Sequence, residues 1–246
     1  HFEKTAGVKA RPVTTKEIPT IRKLKTGIIG MLPNKSGKTI TTMVVGIPNV
    51  GKSTIINILA GKKVAKTGNE PAVTKGQQRI NIGDGIFLLD TPGVLWPNVE
   101  NIKSGYRLAA IGSIKETALD YADVGFFVGR FLLQHFPERL QERFGLQEVP
   151  EDVEQLVEAI GRKRGCLGRS GVVDLDRTCK ILVTELRQGT LGRLTLETPS
   201  MMEIEKIDTA RQILEKEEKK KIKDAKRKKR FQTKQRAQRK AREHRR

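Results

Sequence analysis

Apolar residues in the first ninety positions fall in short runs of strand type, whereas from about residue 113 onward they recur at helical spacing. Residues 41–46, Thr-Thr-Met-Val-Val-Gly, form a β-branched apolar run that predicts a buried strand. Lys52 to Ala60 predicts the helix after it, closed by Gly61. Arg79–Ile82 and Ile86–Asp90 predict two further strands, and the Gly83-Asp84-Gly85 turn between them predicts a hairpin. Val8–Thr14 predicts another strand, followed by a helix over Ile18–Ile29. Strands and helices mixed in this order argue for a three-layer α/β domain over residues 1–112.

The second half predicts helix almost throughout. Ser113-Ile-Lys-Glu116 has the form of a capping box opening a helix, and Val124, Phe127, Val128, Phe131 and Leu132 share one face. Pro150-Glu-Asp opens the next helix, with Val153, Leu156, Val157 and Ile160 at i, i+3, i+4, i+7 and Gly161 behind them. A third runs from Asp174 to about Gln188, ended by Gly189. These elements define a helical domain over 113–205. From about Asp208 the chain is a charged helix grading into Lys/Arg/Gln low complexity, and 206–246 is expected to be a basic tail, disordered when free and ordering on binding.

Charge sharpens the division. The formal net charge of the 246 residues is +20, yet residues 216–246 alone contribute 17 Lys/Arg against 4 Asp/Glu. A fairly ordinary body with a cationic tail points to a polyanionic partner. Aromatic residues make up only 4% of the chain and the tail has Phe231 alone, which favours recognition of RNA backbone and shape over base stacking. Basic clusters also lie at Arg162-Lys-Arg164 and at Arg139 with Arg143, although any single charge run is as well read as a solvated face. No apolar run reaches the ~20 residues of a membrane span. Two cysteines, Cys166 and Cys179, are too few for a disulfide scaffold and read as core residues of a reduced protein. His1, His135 and His244 are too scattered for zinc spacing, and no secretory signal is present.

The candidate chemistry begins at Gly46-Ile-Pro-Asn-Val-Gly51-Lys52-Ser53, a full match to G-x-x-x-x-G-K-S/T between a predicted strand and a predicted helix. In that setting the backbone amides of Asn49, Val50, Gly51, Lys52, Ser53 and Thr54 can wrap phosphates at a helix amino terminus. Lys52 is expected to reach the terminal phosphates and the Ser53 hydroxyl to ligate magnesium. Asp90-Thr-Pro-Gly93, placed 37 residues after Ser53 at the end of a strand, supplies a carboxylate for the metal and a Gly93 amide for the terminal phosphate. Thr74 lies in the interval where a switch threonine meets magnesium; the alternative is an ordinary loop threonine.

These segments carry a family likeness. Gly46–Thr54, residues 65–78 and Asp90-Thr-Pro-Gly-Val-Leu-Trp-Pro97 resemble the circularly permuted ribosome-assembly GTPases of the YlqF/RbgA type, within the TRAFAC class. Ser104–Ala110, Phe136–Arg143 and Ala159–Cys166 continue the likeness, which covers roughly residues 1–200. The resemblance implies a P-loop GTPase domain with permuted motif order, GTP as substrate, magnesium as cofactor and a potassium ion near the phosphates with Asn49 as its ligand. It implies that Thr14 and Thr15 approach the guanine, a bland strand end being the other reading there. It further implies a precursor of the large ribosomal subunit and its rRNA as partner, with no membrane and no DNA, a monomer, and a bacterial cytoplasmic or organellar location. The N-K-x-D element of the family has only a poor counterpart in Asn34-Lys-Ser-Gly37. The chain starts at His1, not Met, so the expectation is that its natural beginning, with that element and the family's catalytic histidine, is missing. Val94 and Leu95 stand where a Ras-like enzyme has its water-orienting glutamine, which implies slow intrinsic hydrolysis raised by the target. Trp96 reads equally as a partner contact or a packed aromatic. The competing readings are a non-hydrolysing RNA-binding assembly factor with a vestigial nucleotide site and, more remotely, an ATP-driven helicase.

Overall fold

Strand β3 (Ile86–Asp90) is the centre of the sheet, in the order β1-β3-β2. It buries Ile86, Leu88 and Asp90 on one face, the period-2 pattern of a strand covered on one side. β1 (Ile40–Val44) runs parallel to it, from Ile40 opposite Ile86 to Val44 opposite Asp90, and β2 (Gln78–Gly83) closes the predicted hairpin antiparallel to it. The computed structural model describes residues 2–32, 34, 37–65, 77–95, 99–114 and 120–243, with side chains as far as Lys226. Helix α3 (Lys52–Ala60) buries Ile56 and Leu59 in one apolar cluster with Ile21, Ile40, Ile80, Ile82, Ile86 and Leu88. Gly61 ends it in the left-handed conformation, as expected.

Two expectations at the amino end need correction. The helix over Ile18–Ile29 is two short helices, α1 (Ile18–Arg22) and α2 (Leu24–Gly30), with Lys23 between them. Val8–Thr14 forms no strand: all seven residues are exposed, so apolar alternation there gains no burial, and Pro12 has no amide to give to a ladder.

The helical part of the same compact unit, which runs to Leu196, contains α4 (Ile102–Ala110), α5 (Tyr121–His135), α6 (Pro137–Phe144), α7 (Val153–Lys163) and α8 (Leu175–Gln188). Val124, Val128 and Leu132 of α5 are buried with Leu140, Leu156, Ile160, Leu182 and Val183, while Phe127 and Phe131 pack at the margin. Helix α5 begins at Tyr121 with Asp120 as its cap, and Glu116 of the expected capping box lies outside the described residues. Gly161 does not end α7 but lies inside it, where a Cβ would come 2.3 Å from Val173 Cγ1; the glycine is there for close approach, not for a stop. Cys166 and Cys179 are buried core residues, and burial pushes the Cys179 thiol up to about 12.

The helix starts follow the sequence closely. Asp152 accepts from Gln155 N at 2.8 Å and Asp174 from Arg177 N at 3.0 Å, each satisfying an amide that the helix cannot. Replacing exposed Asp152 by alanine is expected to cost about 1 kcal/mol of stability. A thermal melt would show it as a drop of a few degrees, and an unchanged melting temperature would dismiss the cap.

The second unit, from Glu197, is built on one long helix, α9 (Pro199–Glu243), where the sequence predicts a disordered tail beyond the charged helix. After Pro199 the chain has no glycine or proline and is rich in Lys, Arg, Glu, Gln and Ala, all strong helix formers. Pairs such as Lys206–Glu203 and Arg211–Asp208 add side-chain bridges one turn apart. Composition that cannot build a core can still build a helix. Among the described residues no helix is long and apolar enough to cross a membrane.

Candidate nucleotide site

Parallel pairing of β1 with β3 decides where the site lies. Because Val44 faces Asp90 across the ladder, the loop leaving β1 and the turn leaving β3 emerge side by side at the carboxyl edge of the sheet. The first is the phosphate loop and the second is Asp90-Thr-Pro-Gly93. They are stitched together: Thr91 Oγ1 donates to Val44 O at 2.7 Å and Val94 N donates to Gly46 O at 3.2 Å. Gly93 lies so close to Pro48 that a Cβ would sit 2.8 Å from Pro48 Cα and 2.9 Å from its nitrogen.

The loop has the shape its sequence predicts. Gly51, the residue before α3, is left-handed (φ +88°) and offers no side chain, so the first amides of α3 are open to an anion. Asn49 is also left-handed, at φ +61°, which is uncommon for a residue with a side chain. Lys52 Nζ donates to Ile47 O at 2.8 Å and so spans the loop. Burial pulls the Lys52 pKa below the ordinary lysine value, while the negative charge of Asp90 pulls it back up. Asp90 itself is 1% exposed. A buried carboxylate at the end of β3 and the Ser53 hydroxyl at the start of α3 are hard oxygen donors of the kind magnesium takes, so the residues present fit that ion.

Thr54 lines a cleft of about 450 Å³ with Ile18 and Arg22 of α1 and Asn57, Ile58, Gly61 and Lys62 of the α3 side. Thr14 and Thr15 lie in the exposed turn just before α1, where Thr14 O accepts from Glu17 N and Thr14 Oγ1 from Lys16 N. The structure thus brings α1 against α3 from Thr54 to its carboxyl end, while the side chains of Thr14 and Thr15 are not among those lining this cleft. Thr74 and Trp96 lie outside the described residues, as do Lys35 and Ser36 of the Asn34–Gly37 segment.

Some contacts carry no motif that a linear reading detects. Ser113, expected only as a cap, is 1% exposed and its hydroxyl donates to Pro48 O at 2.8 Å. Asn49 Nδ2 donates to Gly112 O at 2.7 Å. The basic clusters of the helical part are also less available than their sequence implies. Arg143 and Arg164 both bind Glu185, at 2.7 Å, Arg162 pairs with Glu158 and Arg139 with Glu142. The Glu185 carboxylate raises the pKa of Arg143, first through their hydrogen bond.

The chain is similar to known proteins. Residues 41–160 match the family model described as "50S ribosome-binding GTPase". The chain is 50% identical over 169 residues to ribosome biogenesis GTPase A of Priestia megaterium, covering 69% of this chain and 59% of that protein. It is 49% identical over 176 residues to the protein of the same name from Bacillus cereus, covering 70% and 60%. The chain therefore spans about three fifths of the length of these curated relatives. Among solved structures, a GDP-bound YlqF (TM YlqF) matches with a TM-score of 0.49 and 28% identity, over 73% of this chain and 67% of that one.

Proposed function

From the premise that this chain belongs to the 50S ribosome-binding GTPases of the YlqF/RbgA type, with their P-loop α/β fold, we propose that the full-length protein binds and hydrolyses GTP as an assembly factor of the large ribosomal subunit. One observation carries the reading at the site: the phosphate loop and the Asp90–Gly93 turn meet at one sheet edge, with Gly93 against Pro48 and Val94 N on Gly46 O. A loop that grips phosphates and a turn that touches it can sense whether a terminal phosphate is there.

The roles follow from position. Amides of Asn49, Val50, Gly51, Lys52, Ser53 and Thr54 hold the phosphates, and Lys52 leaves Ile47 O to neutralise the terminal ones. Ser53, Asp90 and, from the sequence, Thr74 would hold magnesium, which would supply charge neutralisation to the phosphates. Gly93 N meets the γ-phosphate, and Thr14 and Thr15, ahead of α1, face the guanine. Val94, 64% exposed, cannot hydrogen-bond a water, so turnover by the protein alone is slow. Asn49 gives Nδ2 to Gly112 O, so Oδ1 is the amide atom whose chemistry suits a potassium ion. In the full-length protein residues 1–112 act as the nucleotide domain, 113–205 as a helical ribosome-binding domain and 206–246 as a cationic element on rRNA. The partner is a precursor of the large subunit, met by a monomer in the bacterial cytoplasm.

The test is GTP turnover of the full-length protein in potassium and in sodium, with and without large ribosomal subunits. Turnover is expected to rise with the particle and with potassium, and Asn49→Ala is expected to lose the potassium response. Rates indifferent to both variables would overturn this mechanism, and no turnover under any of these conditions would leave the rival reading, an RNA-binding factor that does not hydrolyse.

A further inference from the structure

The end of α4 lies between the phosphate loop and the last turn of α8. The sequence Arg107-Leu-Ala-Ala-Ile-Gly112 closes that helix in a Schellman turn, with Ser113 N donating to Leu108 O at 2.9 Å and Gly112 N to Ala109 O at 3.0 Å. The turn needs Gly112 at φ +77°, and it aims the next side chain, Ser113, at the loop. Ser113 Oγ donates to Pro48 O, while Gly112 O receives Asn49 Nδ2. Gly112 and Ser113, just beyond the C-cap Ile111 of α4, therefore grip the two loop residues Pro48 and Asn49.

On its other side the same turn is held by Arg187, in the last turn of α8. Its Nη2 donates to Ala109 O at 2.9 Å and its Nε to Ala110 O at 3.0 Å, satisfying carbonyls at the negative end of α4. Its Nη1 reaches Tyr121 OH at 3.4 Å, so the guanidinium joins α4, α5 and α8 at one point. From this geometry we propose that Ser113 and Arg187 are positioning residues of the nucleotide site, a relay through which the helical part sets the shape of the phosphate loop.

The proposal rests on the nucleotide reading above. Asn49 is in a left-handed conformation, which asparagine tolerates better than other side chains, and its bond to Gly112 O ties that conformation to the turn after α4. Coupling of this kind is reciprocal. Whatever moves the helices against α4 must alter nucleotide affinity by the same factor as nucleotide alters their position. Ser113 donates from a fully enclosed site, so its loss leaves the Pro48 carbonyl without that bond in a region water does not reach.

The experiment measures GDP affinity of the full-length protein, with magnesium, by calorimetry, alongside thermal melting. Ser113→Ala is expected to weaken GDP by about tenfold and Ser113→Thr, which keeps the hydroxyl, to restore it. Arg187→Lys should weaken GDP by several-fold, because a point ammonium cannot serve two carbonyls and a phenol as the planar fork does. Melting temperatures near that of the unaltered protein, together with lost affinity, separate positioning from simple support of the fold. Should Ser113→Ala fail to fold, the comparison of Arg187→Lys with the unaltered protein carries the decision. An unaltered protein that binds no GDP overturns both this inference and the nucleotide reading. An unaltered protein that binds GDP, with variants that bind it equally well, overturns the relay alone.

Discussion

Replacement of Lys52 by alanine is expected to lower GTP turnover at least about 100-fold while leaving the protein folded and able to bind RNA. The size follows from where the charge is placed. Lys52 is the first residue of α3, at the end of a helix whose open amides already favour negative charge, and it is the cation that spans the loop to Ile47 O. Partial burial strips water from it, which is why its pKa falls, and the same loss of water strengthens its attraction to a phosphate. Phosphoryl transfer asks a protein for positioning and charge neutralisation above all, so removing this one charge removes a large share of the catalysis. Lys52→Arg is expected not to restore turnover, because a wide guanidinium does not fit the space of a compact ammonium. The measurement is single-turnover hydrolysis beside RNA binding on the same sample. Equal loss of both would place Lys52 in the fold, and loss of neither would remove the phosphate site from the account.

Gly93→Ala is the second large effect. The added Cβ would lie 2.8 Å from Pro48 Cα and 2.9 Å from Pro48 N, both backbone atoms that no rotamer change can move aside. The loop and the turn must part, and the Val94 N–Gly46 O bond, already 3.2 Å, lies beside the point of strain. Overpacking of this kind costs about 1–3 kcal/mol, which is roughly 5- to 150-fold in whichever equilibrium carries it. The equilibrium expected to carry it is the closed, triphosphate-bound one. A GTP analogue should therefore lose affinity more than GDP, because only the former needs Gly93 drawn in against the terminal phosphate. Equal losses for the two nucleotides would mean that Gly93 is a packing glycine with no part in sensing.

Local signals in the chain were enough for the parts of the fold that local physics controls. The run before Gly46, the glycine after Ala60, the aspartates at 152 and 174 and the turn at Gly83–Gly85 each act on residues within a few positions. The structure has β1, α3, the hairpin and α8 at or within a residue or two of the expected bounds, while α7 starts at Val153, three residues after Pro150, and runs past Gly161 to Lys163. The phosphate loop was legible for the same reason, since its glycines, Lys52 and Ser53 occupy eight consecutive positions. Where the pattern depended on a neighbour far along the chain, it misled. Val8–Thr14 has strand-like residues and no strand to join, and Gly161 has the look of a helix stop but is a contact with Val173. The tail, expected to be disordered when free and to order on binding, holds strong helix formers without a breaker and has the helical conformation of α9 in the structure.

What the linear order of residues determined, then, is the phosphate-binding loop, the caps and the charge of the carboxyl end, because each arises from side chains that act on their own backbone or on solvent. Only the tertiary structure decided that Gly93 leaves Pro48 no room for a methyl group, that Arg143 and Arg164 share Glu185, and that Ser113 holds the loop. Those contacts join residues 42 to 65 positions apart, except for the 21 between Arg164 and Glu185. They exist because parallel pairing of β1 with β3 and the packing of α4, α5 and α8 bring distant backbone together, and nothing in the composition of either partner announces the other.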